Sequence, residues 1–250
     1  MTLAVRIVLG CALIVSGAAP ALAQAVDLQL VLAVDTSGSV DQTRFMLQKQ
    51  GYVAAFRNPR VMQAVRSGPR RAIAVTMTQW TGPTQQIQVV PWAMIRDNGS
   101  AEAFAAAVDD APRQLYFGGT SISGAIDHAI TLFAQGPFSS GRRIIDISGD
   151  GSNNRGRLVN TARDEAVAAG IGINGLPILA LEPDLERYYR ENVIGGPSAF
   201  AIAAKSYDEF AEAILKKLII EIAALPEPNS AMAKLRTATR APIDPSAGSR

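Results

Sequence analysis

The stretch LVLAVDTSGSVD, residues 30–41, ends an apolar run in one aspartate and three hydroxyl residues. Asp35, Ser37 and Ser39 stand there in a D-x-S-x-S spacing. Two other segments have a similar character. FGGTSISGAID places Thr120 in a glycine-rich loop ahead of a helical pattern, and DISGDGSNN places Asp150 just beyond an apolar strand pattern. Carboxylates and hydroxyls are hard oxygen donors, and a set without nitrogen or sulfur suits Mg2+, Mn2+ or Ca2+ better than zinc or copper. Only two of the five donors, Asp35 and Asp150, are carboxylates. A divalent cation held this way keeps an attraction for one more anion.

Bringing these residues together requires a particular architecture. LQLVLAV reads as a strand buried on both faces. Asp41 can cap a following helix in which Phe45, Tyr52 and Phe56 share a face. RAIAVTMTQW is a second strand, TGPT a turn, and QQIQVV alternates as an edge strand does. Helical patterns in AEAFAAAVDDA, in SISGAIDHAITLFAQG and in LVNTARDEAVAAG alternate with the strands RRIIDIS and IGINGLPIL. Pro183 can start a PDLERYYREN helix that Gly195 and Gly196 end, AFAIAA is a short strand, and Ser206 with Glu209 reads as a capping box for the last helix. Such alternation predicts an α/β fold, doubly wound, with a mostly parallel central sheet, one antiparallel edge strand and helices on both faces. Ligands of such sheets bind outside the carboxyl ends of the strands, where the strand order reverses. Asp35, Ser37, Ser39, Thr120 and Asp150 all belong at that edge. Trp80, at the end of the second strand, and Asn153 and Asn154, beyond Asp150, are candidate partner contacts around it.

The ends of the chain read differently. Arg6, the apolar run IVLGCALIVSGAAP and the small residues ALA at 21–23 form a signal-peptide pattern with cleavage before Gln24, and the run is short for a membrane-spanning helix. Cleavage would remove Cys11, the sole cysteine, and lower the formal net charge of +2 by one. The mature chain is then expected in the periplasm or secreted, with no membrane span and no disulfide. Residues 24–225 form the expected domain. Residues 226–250, rich in Pro, Ala, Ser and Arg without a periodic apolar face, are the expected disordered tail. At 48% hydrophobic and 18% charged, the 250-residue chain can bury a full core, and its small net charge argues against a nucleic-acid binder.

With Asp35, Ser37, Ser39, Thr120 and Asp150 in this order, the chain resembles von Willebrand factor type A domains with a metal-ion-dependent adhesion site. Thr120 follows Ser39 by 81 residues and Asp150 follows Thr120 by 30, which suits that motif. DGSNN and ERYYRENVIGGP make it similar to exported bacterial members of unknown function. The resemblance implies that Ser37 and Ser39 bind the metal directly, that Thr120 binds it directly or through water, and that Asp35 and Asp150 act mainly through water. It also implies an open coordination position for an exposed Asp or Glu of a protein partner. Gly149 departs from the pattern, because many members carry a hydroxyl residue there.

Competing readings have less support. Aspartic proteases need glycine where Ser37 stands, haloacid dehalogenase phosphatases need aspartate there, and no P-loop is present. His128 falls about two turns into a helix, away from the strand ends. Tyr188 and Tyr189 read as packing residues. Asp146 interrupts an apolar strand and calls for a buried partner such as Arg71 or Arg143. The expected function is an exported, non-enzymatic, metal-dependent protein-binding module. A metal-dependent hydrolase of phosphate or ester substrates, or a small-anion receptor, is the alternative, and the hydrolase lacks a general base near the site.

Overall fold

The computed structural model describes residues 23–223. Apart from Ala23, the expected leader lies outside the described residues, and so do the expected tail and the last two residues of the expected domain. The elements run β1 (Gln24–Ala25), β2 (Leu28–Asp35), α1 (Gln42–Arg57), α2 (Pro59–Ser67), β3 (Ile73–Trp80), β4 (Gln86–Ile95), α3 (Asn98–Asp110), α4 (Ile122–Gln135), β5 (Phe138–Ser139), β6 (Arg143–Gly149), α5 (Val159–Ala168), β7 (Gly172–Pro177), α6 (Leu185–Tyr188) and α7 (Phe210–Ala223). The main sheet has the order β4-β3-β2-β6-β7, parallel except for β4. The chain leaves β2 for β3 on one side and later crosses to β6 on the other. The reversal of strand order therefore falls between β2 and β6, at the ends carrying Asp35 and Asp150.

All eight residues of β2 are buried. Leu28, Leu30, Leu32 and Val34 face one layer with Tyr52 and Phe56 of α1, Phe104 of α3 and Phe210 of α7. Val31 and Ala33 face the other, with Ile122 and Ile126 of α4 and Ala162 of α5. A strand covered on both faces shows no polar alternation, which is why its sequence is a continuous apolar run.

Most local expectations are realised. Asp41 caps α1 by accepting the Arg44 N–H at 2.8 Å, and Gly136 follows the last residue of α4. The helix expected after Asp41 is α1; beyond it Pro59 opens a further helix, α2, behind an Asn58 cap. Several expectations are corrected. The PDLERYYREN helix is one short turn, α6, that widens into a π-helical turn at Tyr189–Val193. AFAIAA forms only isolated bridges, Ala201 to Gly175 and Ala204 to Ile178. The Ser206–Glu209 box does not form around the last helix, which starts at Phe210; the Glu209 carboxylate accepts from the Lys205 N–H instead. Asp146 pairs with neither arginine. Its partner is Lys217 of α7, whose Nζ lies 2.7 Å from Oδ1, while the Arg143 guanidinium donates to the Ala169 carbonyl.

Helices α1 and α7 meet at Gly51, where an added Cβ would lie 2.7 Å from the Phe210 ring and 3.2 Å from the Ala211 Cα. Gly51→Val is therefore expected to force the two helices apart and cost about 2 kcal/mol. Urea denaturation measures this, and an unchanged midpoint would mean that α7 does not pack so closely.

Candidate metal site

Asp35, the last residue of β2, is fully buried. Its Oδ1 accepts the Ser37 N–H at 2.7 Å, a local bond that turns the chain sharply off the strand. The turn brings the Ser37 and Ser39 hydroxyls within 3.2 Å of each other. The Ser39 hydroxyl then donates to Asp150 Oδ1 at 2.6 Å, across 111 residues of sequence. Asp35, Ser37, Ser39 and Asp150 thus form one connected chain of oxygens at the end of β2 and β6. Thr120 is buried on the loop before α4. Its N–H donates to Asn154 Oδ1 at 2.9 Å, and its carbonyl accepts from the Asn154 N–H at 2.9 Å. Its Oγ1 would lie 3.4 Å from a Cβ at Gly151, the residue after Asp150. All five donors expected from the sequence are brought to this one corner of the sheet.

The corner is held by residues that spacing alone did not indicate. Tyr207 donates its hydroxyl to Asp150 Oδ2 at 2.8 Å. Arg44 lies over the Tyr207 ring with its guanidinium 5.4 Å from the centroid, donates to the Ser39 carbonyl at 2.7 Å, and is 3.6 Å from Asp150 Oδ2. Glu182 accepts the Ser152 N–H at 3.1 Å and fixes the loop after Asp150. Arg44 carried a local signal, sitting three residues after its helix cap. Tyr207 and Glu182 carried none, because each arrives from a distant segment.

Asp35 Oδ2 has no hydrogen-bond partner, and neither has the buried hydroxyl of Tyr189. Both atoms face Gly149: a Cβ there would lie 2.9 Å from Asp35 Oδ2 and 3.1 Å from the Tyr189 hydroxyl. Glycine at this position therefore leaves room that a side chain would take up. Burial, reinforced by the nearby Asp150 charge, pushes the Asp35 carboxyl up to about 7. A buried carboxylate oxygen without a partner is costly, on the order of several kcal/mol. Two buried carboxylates, one of them with an unsatisfied oxygen, and three hydroxyls are a donor set that fits a hard divalent cation. Among the described residues no group of three or more His, Cys, Asp or Glu is gathered to hold a metal, so the hydroxyls are essential to the fit.

The three candidate partner contacts are redistributed. Trp80 is corrected: it is fully buried among Ile122, Ile147 and their neighbours, because β3 is covered on both faces and this side chain turns toward α4. Asn153 and Asn154 lie beside the site, but their side-chain oxygens are used internally. Asn153 accepts the Ser123 N–H at 3.0 Å and Asn154 that of Thr120. They position the Thr120 loop. Exposed apolar side chains at this end come instead from Tyr116 and Phe117.

Comparison with solved structures identifies the architecture. Proximal thread matrix protein 1 from the mussel byssus, in a form with a zinc-occupied MIDAS motif, superposes with a TM-score of 0.55 at 14% identity over 79% of this chain and 46% of that one. The von Willebrand factor type A structure from Catenulispora acidiphila gives 0.56 at 16% identity, over 79% and 43%. The vWF domain of the type V pili tip protein Mfa5 from Porphyromonas gingivalis gives 0.53 at 8% identity, over 82% and 99%. The chain spans less than half the length of the first two. Among curated proteins none is similar enough in sequence to match. The chain belongs to the family described as protein of unknown function DUF1194, whose model matches residues 25–226, and its fold is that of a von Willebrand factor type A domain.

Proposed function

We propose that this chain is an exported protein-binding module that uses a divalent cation to capture a carboxylate of a protein partner. The unpartnered Oδ2 of buried Asp35, beside hydroxyls linked to Asp150, is the observation that carries the reading. A zinc-occupied MIDAS in a mussel protein of the same fold, and a pilus tip protein of that fold, support it. Ser37, Ser39 and Thr120 would hold the ion directly, with Asp35 and Asp150 acting mainly through water. The ion would supply a Lewis-acidic position for an anionic oxygen. The chain's own residues do the rest. Asp35 holds the Ser37 backbone, Ser39 is aligned by Asp150, and Tyr207 and Arg44 keep Asp150 from turning away. Mg2+ is the proposed ion, with Mn2+ or Ca2+ equally served by the donors.

Added Mg2+ should raise the melting temperature, with about 2.7 kcal/mol of stabilisation at a hundredfold excess over Kd. Asp35→Ala should remove the shift, and an equal shift in both proteins would place the ion elsewhere. The sign of the pH dependence follows from the raised Asp35 carboxyl, which faces Asp150 and the Tyr189 hydroxyl. Without ion, the stability that this group contributes is fully present below its ordinary 3.8 and is lost as pH rises through about 7. The cation favours the ionised form, so the Mg2+ shift should be larger at pH 8 than at pH 6.

For the partner, a pull-down from envelope extract with Mg2+ should lose its specific protein on chelation and with Thr120→Ala. Changing one exposed acid of that protein to its amide should have the same effect, since the amide keeps the shape and removes the charge. A partner that survives both chelation and Thr120→Ala would bind another surface.

Export carries its own check. The amino terminus of material recovered from the periplasm or medium should be at or near Gln24, and an intact Met1 in the cytosolic fraction would overturn export.

A further inference from the structure

Away from the metal site, the layer between the sheet and α7 encloses four polar side chains. Asp146 of β6 and Lys217 of α7 are 0% exposed, Glu221 of α7 is 1% and Asn174 of β7 is 4%. Lys217 Nζ donates to Glu221 Oε1 at 2.9 Å, with the Phe200 ring 5.4 Å away on another side. Asn174 fixes that carboxylate, donating to the same Oε1 at 2.6 Å, while its own oxygen accepts the Phe200 N–H. Nζ lies closer to Asp146 Oδ1 than to Glu221, at 2.7 Å. By distance this contact is an ion pair, and beyond it neither Asp146 oxygen has a hydrogen-bond partner. The Lys217 nitrogen is in direct contact with the Asp146 carboxyl group.

The charge count is also unbalanced. Two ionised carboxylates and one ammonium would leave a net negative charge in an apolar layer. The Tyr52 hydroxyl of α1 reaches this region and brings no cation. The Arg142 guanidinium spends a donor on the Glu221 backbone carbonyl. Burial is the main cause that pushes Asp146 up to about 7, with Lys217 opposing it and Glu221 adding to it. The Asp146 carboxyl, the Lys217 ammonium, held up by the two neighbouring carboxyl groups against burial, and the Glu221 carboxylate are therefore held together out of water.

We propose that Lys217 and Asp146 become joined by an intramolecular isopeptide bond, with Glu221 as the catalytic residue that moves the protons. The Lys217 ammonium gives one proton to the Glu221 carboxylate. The freed amine then attacks Asp146 Cγ, the carboxyl being protonated, and the new C–N bond forms as the C=O opens to a tetrahedral centre. A second amine proton passes through Glu221 to the departing hydroxyl, the C–O bond breaks, and one water leaves. The products are an amide, water and a protonated Glu221, so atoms and charge balance. No oxidant, nucleotide or second enzyme is required. Two features drive the reaction. Holding the groups in contact replaces a bimolecular encounter, with effective molarities on the order of 10⁵ M or more. The amide also replaces buried charges with neutral groups, which an apolar layer favours. The bond would staple the last described helix to a central strand.

The intact mass of the purified, processed chain decides the matter. It should be lighter than its sequence by one water, and proteolysis should yield a joined fragment containing both Asp146 and Lys217. Glu221→Gln should restore the full mass in a protein that still melts cooperatively, and Lys217→Arg should do so while keeping the cation. A wild-type chain that is folded, at full mass, and free of joined fragments after prolonged warming would overturn the bond and leave the cluster an ion-pair network. Loss of water that persists in Glu221→Gln would overturn the role of Glu221. The wild-type mass is sufficient by itself should either variant fail to fold.

Discussion

The cost of burying Asp35 organises the upper edge of this molecule. A carboxylate at the end of a strand covered on both faces has few partners within reach. Here one oxygen is satisfied by the backbone of Ser37 and the other is not. The parallel sheet makes this arrangement available, because it delivers the ends of β2 and β6 side by side with the strand order reversing between them. Two helices also begin at this edge, α1 behind Asp41 and α4 behind Ser121. Their amino-terminal dipoles lessen the strain of concentrating negative charge there. Arg44 and Tyr207 engage the second carboxylate, so the unmet demand falls on Asp35 alone.

The contrast with the layer beneath α7 is instructive. Both places bury two carboxylates, and they solve the problem differently. At the edge carrying Asp35 and Asp150 the neighbouring donors are neutral hydroxyls, and one carboxylate oxygen is left without a partner. Around Asp146 the compensation is internal, from a lysine one helical turn ahead of a glutamate. The first arrangement is built to exchange and the second to stay closed. Gly149 shows how finely the open site is trimmed. A side chain there would crowd Asp35 Oδ2 and the Tyr189 hydroxyl together, and the π-helical turn beginning at Tyr189 is what carries that hydroxyl under the strand end.

What could be read in advance follows from the range of each interaction. The β2 run, the Asp41 cap and the stop at Gly136 are local, and all three were legible. So was the five-residue oxygen set, since each member sits at a boundary between a strand or glycine loop and a helix. The break at Asn58-Pro59 is equally local, since proline cannot continue a helix but readily opens one. Trp80 could not be oriented, because all eight residues of β3 are buried and alternation gives no cue to which face a given side chain takes. No local pattern points to the partner of Asp146, because the pairing is made across the sheet by Lys217 of α7. Tyr207 reaches Asp150 in the same way, from a segment whose sequence shows only a helix approaching.

The two ends of the described chain share a location. β1 pairs with β5 just ahead of β6, and the Arg142 guanidinium, next to the first residue of β6, reaches the Glu221 carbonyl near the end of α7. Both ends therefore leave from the edge of the sheet opposite Asp35 and Asp150. The corner that gathers Asp35, Ser37, Ser39, Thr120 and Asp150 is thus separated by the length of the sheet from both ends of the described residues.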